Sequence, residues 1–196
     1  MDELTGRITF IQEAERLKNV LRSAHTSVGR RESTAEHTWR LCLMALTFAD
    51  RFGSIDIAKV LKLCVVHDLG EAINGDVPAV EQINSPDKSK RERHDLQELT
   101  KTLPQSLQDE FLGLWEEYEY ALSREARIVK ALDKLETIIQ HNQGANPPGF
   151  DYAFNLEYGK KHTAAEPLFA EIRAIVDEDT KRHVSNGIQS SNNDDA

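Results

Sequence analysis

The sequence is short of positive charge, of cysteine, of aromatic residues and of long apolar runs. Lysine and arginine together number 24 against 33 aspartates and glutamates, a net charge of -9. That balance leaves no basic surplus to neutralise a polyphosphate backbone, which excludes a general nucleic-acid binder and leaves small anionic substrates open. The two cysteines, Cys42 and Cys64, form no Cys-x-x-Cys pair, which argues against a structural zinc cluster. Both fall in apolar helical stretches, as reduced, buried thiols do. No apolar run has the length that crosses a bilayer, and Met1-Asp2-Glu3-Leu4 carries neither the basic nor the apolar part of a signal peptide. The expectation is a cytoplasmic protein with neither membrane nor nucleic-acid polymer as partner.

Strand alternation is also missing. Nearly every segment has helical period, so an all-α helical bundle is expected. At 196 residues the chain suits a single domain, expected over 1–184, with a disordered tail over 185–196 that has no apolar period. Helices are expected over 4–21 (Leu4, Ile8, Ile11 and Leu17 inward), 33–51, 56–67, 88–102, 104–120, 124–142 and 164–178. Residues 22–32 read as a basic loop, and 79–90 as irregular. Ser33-Thr34-Ala35-Glu36 has the form of a capping box, and Asn74-Gly75 is a turn signal. Ile128, Leu132, Leu135 and Ile139 form the inner row of the 124–142 helix, which Gly144 ends.

Against this background one stretch is out of place. His67-Asp68-Leu69-Gly70-Glu71 closes the apolar run Val60-Leu61-Lys62-Leu63-Cys64-Val65-Val66. A carboxylate beside an imidazole at the end of a buried helix is costly unless compensated, and a metal ion is the strongest compensation. His37 lies in the apolar row His37, Leu41, Met44, Phe48, and His67 in the row Ile57, Val60, Cys64, His67. Two histidines on two core faces, one with an adjoining carboxylate, point to a metal site. Asp133 interrupts an apolar sector and is the candidate fourth ligand, against a solvated edge with Lys130 or Lys134. His25, His94, His141, His162 and His183 fit no ligand spacing and read as structural or exposed.

The order His37, His67-Asp68, Asp133 resembles the HD superfamily of metal-dependent phosphohydrolases. Within it the chain is most similar to the small 5′-deoxynucleotidases, whose pattern matches Glu36-His37, His67-Asp68-Leu69-Gly70-Glu71, Gly75-Asp76-Val77-Pro78 and Lys130-Ala131-Leu132-Asp133. Leu17-Lys18-Asn19-Val20-Leu21-Arg22 matches their early Leu-Lys-x-x-x-Arg. The resemblance covers residues 4–142. It implies an HD-domain bundle and a divalent metal ion (Mn, Co, Mg, Fe or Zn) held by His37, His67, Asp68 and Asp133. The implied activity is removal of phosphate from (deoxy)nucleoside 5′-monophosphates. Glu71 would orient or deprotonate the attacking water. Asp76 would contact the sugar hydroxyl or the leaving oxygen, Val77 and Pro78 would wall the nucleoside, and Arg22 would hold the phosphate. In some relatives a second cation is placed near the equivalents of Glu71 and Asp76, which leaves open that those two are ligands instead. Ser23 stands where the bacterial deoxynucleotidase has a tryptophan that resembles a gate against ribose.

The resemblance also implies a homodimer, and Phe111, Leu114, Trp115 and Tyr118 form a helix face that suits either a dimer contact or the core. Glu36 is explained as a cap, and Arg30 as a loop residue or a helper of the site. Two alternatives stay open: an HD phosphohydrolase of another phosphate ester, and a non-catalytic, metal-containing module that binds nucleotides. Glu71 and Asp76 count against the second, because a purely structural metal needs neither.

Overall fold

Side-chain caps start most of the longer helices. Asp2 accepts from the Thr5 amide at 3.0 Å and starts α1 (Glu3–Ala14). Ser33 starts α2 (Thr34–Thr47), with its hydroxyl accepting from the Glu36 amide at 3.3 Å while the Glu36 carboxylate accepts from the Ser33 amide at 2.8 Å. That is the capping box read from the sequence. Asp56 caps α3 (Ile57–Val66) by accepting from the Lys59 amide, and Ser123 caps α7 (Arg124–Gln143) by accepting from the Ala126 amide. Between them lie α4 (Glu71–Asn74), α5 (Lys88–Thr100) and α6 (Gln105–Glu119). The chain ends in α8 (Tyr152–Asn155), α9 (Lys160–Thr163) and α10 (Pro167–Asn193). This computed structural model describes residues 2–76 and 87–193, with side chains to 186. Most of the expected irregular stretch 79–90 lies outside the described residues.

The helical expectation holds, with four differences. Residues 22–32 are not simply a loop: β1 (Leu21–His25) and β2 (Arg31–Ser33) pair as a two-stranded sheet, turned at Gly29 with φ +81°. Strands of five and three residues are too short to show an alternation. The inner row of α1 is shifted. Leu4, Ile8 and Ile11 are exposed, whereas Gly6 is buried, with its carbonyl accepting from Thr102 Oγ1 at 2.9 Å. The small residue permits close packing, and Phe10 follows it one turn on, edge-to-face with Phe111. In α7, Ile138 takes the fully buried place expected of Ile139. The last helix runs to Asn193 rather than 178, through most of the stretch expected to lack structure, with Val176 and Thr180 buried along it.

The chain divides into two compact units, a division the single-domain reading does not contain. The first comprises Met1–Ser23 and Glu32–Val129. Its core is Leu17, Val66, Leu69, Ala72, Leu96, Leu99 and Trp115. Trp115 and Tyr118 are buried in this unit, so of the four aromatic and apolar residues weighed as a dimer face these two belong to the core.

The second unit comprises Ala24–Arg31 and Lys130–Ala196. Arg173 of α10 gathers its backbone, donating to the carbonyls of Asn155 and Tyr158 at 2.6 Å each and of Leu156 at 3.0 Å. His141, read as structural, pairs through Nδ1 with Asn155 Oδ1 at 2.9 Å. His162 of α9 is half-buried, and burial together with Lys130, Lys134 and Lys161 pushes its imidazolium down to about 4 from 6.5.

Two outcomes follow from these environments. Trp115→Ala removes the largest fully buried side chain and should cost about 3–5 kcal/mol in urea unfolding. His162 is neutral in the folded chain but takes up a proton in the unfolded chain below 6.5, so its contribution to stability is lost as pH falls from about 6.5 towards 4. His162→Gln should flatten the fall of melting temperature across that window, read by circular dichroism.

Candidate active site

The end of α3 places the first donors. The His67 amide still bonds the Leu63 carbonyl at 3.0 Å, so the imidazole leaves the helix in a fixed direction. Its Nδ1 lies 2.7 Å from the Cys64 carbonyl oxygen, which can only accept. Nδ1 therefore carries a proton, and Nε2 is the ring nitrogen turned to the site. That nitrogen faces Asp68 Oδ2 at 3.0 Å, and both atoms are buried without a hydrogen-bond partner. His37, on the inner face of α2, brings its Nε2 to 3.8 Å from the same carboxylate oxygen. The two imidazoles have centroids 5.5 Å apart, with ligand atoms within 4.8 Å of each other. Tyr118 packs edge-on against the His67 ring.

Two imidazole nitrogens and a carboxylate oxygen converging in a buried place fit a divalent cation. The fixed Nδ1 proton on the Cys64 carbonyl is the outer contact that orients a ligating histidine. Burial opposes the charge on Asp68, yet the two imidazoles and the Arg22 guanidinium outweigh it and hold the carboxyl well below the usual range. A cation among these donors would act in the same direction.

Arg22 comes from β1, a strand where a loop was expected. Its Nη1 is 3.5 Å from Asp68 and its Nε 3.7 Å from Glu32. Ser23, the next residue, is exposed. Glu71 opens α4 and is buried, with Oε2 3.3 Å from Thr34 Oγ1 and Oε1 3.8 Å from Lys88 Nζ. Burial, Asp68 and Asp76 push its carboxyl well above the usual value, against Arg22 and Lys88. A carboxyl shifted upward in this way is suited to handle a proton near neutral pH. Asp76 is half-buried, just past Gly75 with φ +85°. Val77 and Pro78 lie outside the described residues.

The first unit thus brings together Arg22, His37, His67, Asp68 and Glu71. In the second unit Asp133 is buried rather than solvated, with Oδ2 2.9 Å from Lys134 Nζ and its own carbonyl accepting from Thr137. Burial opposes the charge of Lys134, but Asp133 and Tyr158 raise its pKa far above the ordinary lysine value.

Three residues of the first unit escaped the sequence reading. Glu32 is buried and holds a carboxylate oxygen within 4.8 Å of a His37 ring nitrogen. In the sequence Thr34 reads only as part of the cap, and Lys88 only as a residue of the charged helix expected over 88–102. The Lys88–Glu92 spacing of four was the one signal available for the last.

The profile of the HD domain family matches residues 14–173 of this chain. The chain belongs to the HD domain family. Across 98% of its length this HD protein is 31% identical to a Danio rerio protein named 5′-deoxynucleotidase HDDC2, spanning 97% of that protein. It is 32% identical to the Mus musculus protein of the same name over 92% of this chain and 90% of that one. Among solved structures it is similar to a predicted metal-dependent phosphohydrolase from Magnetospirillum magnetotacticum. That match has a TM-score of 0.81 and 29% identity, and covers 92% of this chain and 94% of the other.

The donor set has a direct test. The purified HD protein should carry a divalent ion that a chelator removes, with readdition raising the melting temperature. His67→Ala should abolish both the ion content, read by elemental analysis, and the thermal gain.

Proposed function

We propose that this protein is a metal-dependent phosphohydrolase that removes phosphate from (deoxy)nucleoside 5′-monophosphates. One observation carries the reading: two buried metal-ligating atoms, His67 Nε2 and Asp68 Oδ2, stand 3.0 Å apart with the raised carboxyl of Glu71 one turn further on. His37, His67 and Asp68, joined by Asp133, would hold the divalent ion; the order of these residues in the sequence and the match to the HD domain family support that set. When bound, the ion lowers the pKa of a water and screens the charge of a phosphate. Glu71 takes a proton from the attacking water, its buried setting keeping its proton affinity high enough to do so. Arg22 meets the phosphate with a fork that fits its oxygens and stays charged. Asp76 is assigned to the sugar hydroxyl or the leaving oxygen, and Val77 and Pro78 to the wall of the nucleoside site.

The finer terms of the proposal are manganese as the ion and a homodimer in the cytoplasm. The mixed nitrogen and oxygen donor set accepts manganese along with other divalent ions. The exposed apolar residues Leu4, Ile8 and Ile11 leave a face of α1 for association. Two cysteines, neither in a disulfide, suit a reducing compartment.

The deciding assay is phosphate release from a panel of ribo- and deoxyribonucleoside 5′-monophosphates with manganese or cobalt. Wild type should release phosphate, and Glu71→Gln should lose about 100-fold or more in kcat while keeping its metal. No release by wild type with any ion overturns the assignment.

A further inference from the structure

Glu71 is held on both carboxyl oxygens by residues distant in the chain. Thr34, fully buried at the first position of α2, donates its hydroxyl to Oε2 at 3.3 Å. Lys88, at the first position of α5, places Nζ 3.8 Å from Oε1. This is not the lysine of a solvated helix face. Its side chain keeps 22% exposure, and its ammonium is bound closely by Glu92 one turn along. Glu92 is itself 7% exposed. Burying a lysine and two glutamates together is not a route to stability, because desolvation offsets the attraction. The arrangement asks for another explanation.

Gly70 shows how the fold makes room for it. A Cβ at position 70 would stand 2.6 Å from the Glu92 carbonyl oxygen and 3.0 Å from the Glu92 carbonyl carbon and Cβ. Any larger residue would push α5 off the turn that joins His67-Asp68 to Glu71. The α5 backbone lies against the metal-site motif only because residue 70 has no side chain, and that approach is what brings Lys88 to Glu71.

We propose that Lys88 and Thr34 are positioning residues that clamp the two oxygens of Glu71 and aim its carboxylate at the attacking water, with Glu92 orienting Lys88 and Gly70 setting the distance. The inference rests on Glu71 being the base. It gives roles to a lysine and a threonine that touch neither the ion nor, in this assignment, the substrate. A clamped carboxylate loses little rotational freedom on reaching the transition state, so its effect falls on turnover rather than on binding.

The test uses the full chain with manganese and a nucleoside 5′-monophosphate that wild type hydrolyses. Lys88→Met and Thr34→Val, the second nearly isosteric, should each lower kcat on the order of tenfold with KM within about twofold and metal content unchanged. Lys88→Arg should recover part of the loss. In a Glu71→Gln background, Lys88→Met should cause no further fall, because both changes act through one carboxyl. Wild-type kcat in both Lys88→Met and Thr34→Val overturns the clamp alone. So does a rise in KM without a fall in kcat, which would make Lys88 a phosphate contact, and so does an equal further loss in the Glu71→Gln background. A Lys88→Met chain that does not fold leaves Thr34→Val to decide. A wild type inactive with every nucleotide and ion overturns the clamp together with the function on which it rests.

Discussion

The His67 imidazole and the Asp68 carboxylate are held 3.0 Å apart at the end of a buried helix. Neither can move away. The imidazole of His67 is tied by Nδ1 to the Cys64 carbonyl, and Val66 and Leu69 on either side of the pair are sunk in the core of the first unit. The apolar packing of α3 thus fixes where these two groups stand. A cation bound there would draw on donors already fixed in place, which is how folding couples to metal affinity.

Around this pair the chain reverses its own composition. The molecule as a whole is strongly acidic, yet the few cations near the site are buried or half-buried and each faces more than one carboxylate. Arg22 lies between Glu32 and Asp68, and Lys88 between Glu71 and Glu92. The net charge of the protein therefore says little about the field an anionic substrate meets. The local field is set by which carboxylates are already engaged.

Much of this was legible in the sequence, and for identifiable reasons. Caps and apolar rows act over three or four residues, so the helix starts expected at 33 and 124 are ones the structure keeps. The His-Asp pair was legible because it violates the hydrophobic pattern around it. What could not be read depends on packing between segments. The inward face of α1 turns on Gly6, whose small size matters only once α1 meets the loop carrying Thr102. The hairpin is too short to show a period. Lys88 sits in a charged run that is solvated in an isolated helix, and only the close approach at Gly70 buries it.

The capping box at Ser33 sets more than where α2 begins. Successive residues of a helix are rotated by about 100°, so its starting point also fixes the azimuth of every side chain that follows. Thr34 and His37, three residues apart, share one face. From that face the hydroxyl meets Glu71 and the imidazole meets Asp68. Glu36 is directed to the Ser33 amide and stays with the cap. A start displaced by a single residue would swing both functional groups out of line together, leaving an equally helical segment in which neither reaches its partner. Rotational phase, set by one serine at the helix entrance, is thus part of the chemistry of a site whose reactive groups lie one and four residues further on.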